Sequence, residues 1–164
     1  MIFVTVGTTS FDDLVKAVDT EAFHEQARAL GFDRLVVQFG RGSHRPRDLG
    51  LKTESFDLKP SLDDEMRSAS LVISHAGAGS VIEALRERRR LLVVVNPVLM
   101  NNHQLELAEA MQTRGHCAMA RDASEVVLRL REAAEMDLKP YPAADLRPWH
   151  EALEDACGVA PAKN

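Results

Sequence analysis

Short aliphatic runs recur along the chain, separated by stretches whose apolar positions fall three and four residues apart. Ile2 to Val6 (IFVTV), Arg34 to Phe39 (RLVVQF), Leu71 to Ser74 (LVIS), Leu91 to Val95 (LLVVV) and Cys117 to Ala120 (CAMA) read as strands. LLVVV is aliphatic throughout, as expected of a central parallel strand covered on both faces. Thr53 to Phe56 is a further candidate strand, leading to a short helix around Ser61 to Ser68. Phe11 to Leu30 carries helical periodicity through Phe11, Leu14, Val15, Val18, Phe23 and Ala27. Ser10 is placed to cap that helix, Asp12 and Asp13 fall in its first turn, and Gly31 ends it. His103 to Arg114, stopped by Gly115, and Ser124 to Met136 predict two more helices. Lys139 to Pro148, with three prolines, is a non-helical connector, and Leu146 to Cys157 predicts a last helix carrying Trp149 and Leu153.

Strand-like and helical segments alternate, which argues for an α/β fold: a doubly wound, mostly parallel, Rossmann-like sheet. Residues 1–138 would form this domain, and 139–164 the connector and terminal helix, a candidate docking element for a partner. In such sheets ligands bind beyond the carboxyl ends of the strands. Four polar or glycine-rich loops fall there: Gly7 to Ser10, Gly40 to Ser43, His75 to Gly79 and Asn96 to His103.

The richest stretch is LVISHAGAGS, residues 71–80. A buried strand runs into a turn containing Gly77 and Gly79, and Ser80 to Leu85 then read as the first turns of a helix. Free N–H groups and a partial positive charge at a helix start suit a phosphate, so a nucleotide is the expected ligand. Gly77 and Gly79 match only part of a dinucleotide fingerprint, since Ile82 stands where its third glycine would be, and the match lies mid-chain; a nicotinamide dehydrogenase fits poorly. No GxxxxGK[ST] sequence occurs. Glu83, one turn into the helix, is either a solvated glutamate or a carboxylate for ribose hydroxyls. Asn101, Asn102, His103 and Gln104 offer more neutral hydrogen-bonding groups than a helix cap needs, which suits a sugar.

Composition narrows the classes. The 164 residues suffice for one core, and no apolar run approaches the roughly 20 residues that span a bilayer. The start of the chain has no basic leader region, and two isolated cysteines, Cys117 and Cys157, fit a reducing cytoplasmic compartment. A net charge of −5 argues against nucleic acid. One basic cluster, Arg86, Arg88, Arg89 and Arg90, reads as a solvated helix end or as a contact for anionic lipid or a partner. The six histidines have no metal-ligand spacing and Asp-x-Asp is absent, so no metal site is expected. His75 and His103 lie on cleft loops as acid–base candidates.

Four motifs in order, FVTVGTTSFDDL, LVVQFGRGS, LVISHAGAGSVIEAL and NNHQLELAEAM, closely resemble the small cytosolic subunits of the eukaryotic UDP-N-acetylglucosamine transferase of dolichol-linked oligosaccharide synthesis. The likeness is specific from Ile2 to about Cys117 and looser beyond; a more distant one is to the C-terminal half of the bacterial peptidoglycan lipid-linked N-acetylglucosamine transferase. The resemblance implies one half of a GT-B glycosyltransferase, the donor-binding half, active with a membrane-anchored, acceptor-binding subunit on the cytosolic face of the endoplasmic reticulum. It implies inverting transfer of N-acetylglucosamine from UDP-N-acetylglucosamine to dolichyl-diphospho-N-acetylglucosamine, without metal or cofactor. By the same resemblance Gly7, Thr8 and Thr9 approach the diphosphate and sugar, and Gln38, Gly40 and Arg41 lie near the nucleotide. Ala76, Gly77, Ala78, Gly79 and Ser80, beside His75, form the phosphate-binding helix start; Glu83 holds the ribose; His103 and Gln104 fall where the bacterial relatives place two glutamines on the sugar, His103 departing from that pattern. No general base is assigned to this chain. The alternatives are a subunit of a bacterial two-component polysaccharide transferase and a non-catalytic nucleotide-sugar-binding subunit.

Overall fold

The computed structural model describes residues 1–98 and 103–142; of His103 only the backbone is described. Six strands form one sheet: β1 (Ile2–Thr5), β2 (Arg34–Gln38), β3 (Lys52–Phe56), β4 (Leu71–His75), β5 (Arg90–Val94) and β6 (Ala118–Ala120). Every pairing is parallel, in the order β3-β2-β1-β4-β5-β6. Six helices cover it: α1 (Asp12–Val18), α2 (Glu21–Ala29), α3 (Asp63–Ser68), α4 (Ala78–Arg86), α5 (His103–Thr113) and α6 (Val126–Glu135). This is a Rossmann-like, doubly wound α/β domain.

Alternation along each strand divides the core into two layers. Ile2, Val4, Leu71, Ile73, Leu92 and Val94 face a layer that also takes Leu14, Val15 and Val18 of α1, Phe23 of α2 and Leu130 of α6. Phe3, Val72, Leu91 and Val93 face the other, with Met66 of α3, Val81 and Ala84 of α4 and Ala108 of α5. On that second face Phe3 stacks on Phe56, ring centroids 6.5 Å apart. Aliphatic residues throughout β4 and β5 are therefore used on both sides.

The predicted helix from Phe11 to Leu30 is two helices. Asp19 turns its carboxylate inward, where it accepts hydrogen bonds from the Arg47 backbone N–H (2.9 Å) and from the Arg47 side chain. His44 Nε2 lies 2.7 Å from the same carboxylate. Thr20 is extended (φ −124°, ψ 147°), and its hydroxyl accepts from Phe23 N–H, starting α2. Ser10 caps nothing; Phe11 precedes α1 without a side-chain cap. The helix after β4 begins at Ala78, so Gly79 lies inside its first turn rather than in the loop. A short 3₁₀ turn, Ala123–Glu125, precedes α6. The predicted last helix, Leu146 to Cys157, and residues Asn101 and Asn102 lie outside the described residues.

Arg88 follows α4 in the left-handed region, φ 55°, the only described non-glycine residue there. Glycine is the usual occupant of such a position because any Cβ crowds the following carbonyl. Arg88→Gly should therefore stabilise the domain by about 0.5–1 kcal/mol, read as a rise in the urea midpoint at unchanged slope.

Candidate functional site

The strand order reverses between β1 and β4, which lie side by side with Val4 opposite Ile73 and Thr5 opposite Ser74. The chain leaves β1 towards one face and β4 towards the other, and the separation of these two exits opens a crevice at the carboxyl edge of the sheet. The loops after β1, β2 and β4 meet there, and α5 starts at the same edge.

Three glycines set the floor. Gly7 (φ 63°) and Gly40 (φ 57°) adopt left-handed backbone. A Cβ on Gly40 would run into the Thr9 carbonyl and come within 2.7 Å of the Gly7 carbonyl, so the first two loops touch through backbone alone at this point. The Arg41 N–H donates to the Thr9 carbonyl at 3.0 Å. Gly77 has ordinary φ; its lack of a side chain makes room for the His75 ring. That imidazole is wedged between two loops, because a Cβ on Gly7 would also lie 2.7 Å from His75 Cε1. Burial drives the His75 pKa below the ordinary imidazole value, partly opposed by the Thr5 carbonyl, so the ring is held neutral. Its Nδ1 is buried without a hydrogen-bond partner. His75 thus spaces the two glycine loops from beneath the crevice.

Thr8 is exposed on the first loop, whereas the Thr9 hydroxyl donates to the Val6 carbonyl at 2.9 Å and shapes the turn. Gln38 is buried, and its side-chain carbonyl accepts from the Thr5 hydroxyl of the neighbouring strand. The same Thr5 oxygen accepts from Gly7 N–H at 3.1 Å. Thr5 is a site-shaping residue that pattern reading passed over; a hydroxyl inside the aliphatic run IFVTV, in register with Gln38, is the signal that marks it.

Gly77 precedes α4 with no side-chain cap on the first N–H groups, which open at the crevice beside exposed Ala78 and Gly79. Ala76 is buried beneath and Ser80 is half-buried. Glu83 is half-buried one turn on. Burial, then the charge and hydrogen-bonding contact of Asp63 on α3, then Glu87, raise its carboxyl pKa. Arg41 is exposed at the rim. Gln104, in the first turn of α5, has its Oε1 buried and unpaired, an acceptor without a partner near that sheet edge. Asn101, Asn102 and the His103 side chain lie outside the described residues. Among the described residues no group of three or more His, Cys, Asp or Glu side chains comes together to hold a metal ion.

The loop between β2 and β3 is strapped to α1. Asp12 accepts from Ser43 Oγ (2.6 Å), Ser43 N–H (2.9 Å) and His44 N–H (3.3 Å), while Asp19 holds Arg47 and His44 further along. Ser43 hydrogen bonds lower the Asp12 pKa. For Asp19 burial pushes upward, but the bonds from Arg47 and His44 prevail and hold it low. Carboxyls depressed in the folded state stabilise it above their unfolded pKa, and the contribution is lost as pH falls. Protection factors for amide exchange at Ser43 and Arg47 should therefore decline as pH drops through about 4 and below, and D12N/D19N should flatten that decline.

Residues 1–154 match the glycosyltransferase family 28 C-terminal domain. The chain is 49% identical over 120 residues to the UDP-N-acetylglucosamine transferase subunit ALG13 of Homo sapiens, covering 70% of this chain and 10% of that protein. It thus spans about a tenth of the length of that relative. The corresponding subunit ALG13 of Eremothecium gossypii is 32% identical over 185 residues, covering 94% of this chain and 91% of that one. Among solved structures, the NMR solution structure of ALG13 superposes with a TM-score of 0.67 at 28% identity, over 93% of this chain and 94% of the other.

Proposed function

The chain belongs to the glycosyltransferase family 28 C-terminal domain family, and from that premise we propose that it is the donor-binding half of a two-part UDP-N-acetylglucosamine transferase. Its partner would be a membrane-anchored subunit carrying the lipid-linked acceptor, dolichyl-diphospho-N-acetylglucosamine. No helix among the described residues is long and apolar enough to cross a membrane. The chain would work on the cytosolic face of the endoplasmic reticulum, brought there by the partner, with residues 139–164 as the candidate docking element.

The observation that carries this reading is the crevice between β1 and β4, walled by Gly7, Gly40 and Gly77 and facing the uncapped start of α4. The diphosphate would sit on the N–H groups of Ala78, Gly79 and Ser80 with Ala76 and Gly77 beneath, and Thr8 and Thr9 alongside. Glu83 would accept the ribose hydroxyls; Gln38 and Arg41 would border the nucleotide. Gln104, with Asn101, Asn102 and His103, would hold the sugar.

In the transfer the anomeric carbon passes to the acceptor hydroxyl and the bond to UDP breaks. Negative charge gathers on the departing diphosphate, where fixed N–H dipoles stabilise it without reorganisation. This half of the enzyme would supply leaving-group stabilisation, and the proton leaves the acceptor hydroxyl to a base not assigned to this chain.

The test is transfer from UDP-N-acetylglucosamine to a dolichyl-diphospho-N-acetylglucosamine analogue, with the chain alone and with the membrane subunit. Transfer only in the pair is expected. Calorimetric UDP binding without transfer in either case would leave a binding role and overturn the catalytic one.

A further inference from the structure

At the far end of α4 from the crevice lies a second cavity, an open groove of about 640 Å³. Ile82 and Leu85 give it an apolar floor, and Arg86, Arg88 and Arg114 rim it, all three exposed or half-exposed. Tyr141 closes one end, its ring packed edge-on against His116 at 5.4 Å between centroids. Five other described arginines pair with carboxylates, among them Arg34 with Glu54, Arg67 with Asp64, Arg129 with Glu132 and Arg131 with Glu135, while Arg28, Arg41, Arg90 and Arg121 stand singly without one. Among the described residues Arg86, Arg88 and Arg114 have no carboxylate partner.

The dipoles of α4 and α5 favour a basic residue at each carboxyl end. They do not account for three guanidinium groups on one groove, nor for arginine at position 88, where the left-handed backbone favours glycine. Planar, multidentate guanidinium donors suit the several oxygens of a phosphate, and an apolar floor beside them suits the carbon stem that bears it.

We infer that Arg86, Arg88 and Arg114, with Tyr141, form a binding site for a phosphate-bearing group, distinct from the crevice. The groove meets α4 from Ile82 onward, one turn beyond the N–H groups that face the crevice, and shares no lining residue with it. The phosphate belongs either to an anionic lipid headgroup or to a soluble phosphorylated molecule.

Inorganic pyrophosphate titrated into the full chain should give saturable NMR shifts at Tyr141 and His116. The combined Arg86→Gln, Arg88→Gly and Arg114→Gln variant should lose at least tenfold in affinity by those shifts while its melting temperature holds or rises. In a second arm the chain is sedimented with phosphatidylcholine vesicles with and without phosphatidylserine. Binding to the anionic vesicles, lost in the variant, identifies the headgroup as source; pyrophosphate shifts without vesicle binding identify a soluble ligand. Absence of shifts at Tyr141 and His116, or equal shifts in the variant, overturns the site.

Discussion

Replacing Glu83 by alanine is expected to weaken UDP-N-acetylglucosamine binding by about 10- to 100-fold, the loss of hydrogen bonds to a charged acceptor. The fold should survive intact. Glu83 is half-buried against Asp63, and burial together with that neighbour raises its pKa. A carboxyl whose folded pKa is raised opposes folding once it ionises, so the native chain carries a cost at neutral pH that alanine removes. The expected signature is thus divergent: calorimetric affinity falls while melting temperature stays level or climbs. A residue whose role is to hold α3 against α4 would move both in the same direction. Unchanged affinity would remove Glu83 from the site.

Gly40→Ala should be the most damaging small substitution in the crevice. The added methyl meets the Thr9 carbonyl and comes within 2.7 Å of the Gly7 carbonyl. Both are backbone oxygens, which cannot swing aside as a side chain would. The position is also left-handed, at φ 57°. Left-handed strain and overpacking together cost about 3 kcal/mol, equivalent to a fall of about 10 °C in melting temperature for a domain of this size. Gly79→Ala is the matched control. Nothing lies within 4 Å of the place its methyl would take, and the residue is already in α4, so the fold should be unharmed. Donor binding should nevertheless fall, because the methyl would stand where the diphosphate approaches. A Gly79→Ala variant that binds normally would move the phosphate away from the start of α4.

Much of this architecture is legible in the sequence, for identifiable reasons. Apolar residues occupy successive positions in β1, β2, β4 and β5 because both faces of the sheet are covered, and the alternation of these strands with helices dictates parallel pairing. That in turn places Gly7, Gly40 and Gly77 at one edge. What the sequence conceals is set by contacts between distant segments. The break between α1 and α2 depends on the Asp19 carboxylate, whose partners His44 and Arg47 come from a loop that periodicity cannot place beside it. The step from Val18 to Phe23 is five residues, outside the three- and four-residue helical spacing, so the apolar pattern itself carries a mark of the break that a reading as one helix passes over. Thr20 does carry a local signal, since a threonine before Glu21 is a helix start. The clasp of Thr5 on Gln38 and the wedge of His75 are equally tertiary. Each looks, in one dimension, like a polar residue at a strand end.

The position of β1 between β2 and β4 also governs how the chain is made. Ile2 pairs with Leu35 on one side and with Leu71 on the other. At ribosomal speeds of about 5–20 residues per second, the second partner follows the first strand by roughly 4–14 s. Throughout that interval the backbone donors and acceptors on one edge of β1 have no strand to meet, and Phe3 lacks its cover from Val72. The middle of the finished sheet is thus the part of the nascent chain left open longest. A chaperone or early collapse onto α1 and α2 must shield it until Leu71 to His75 emerges. Substitutions that slow synthesis or weaken β4 should therefore lower the yield of native protein more than they lower the stability of molecules that have already folded.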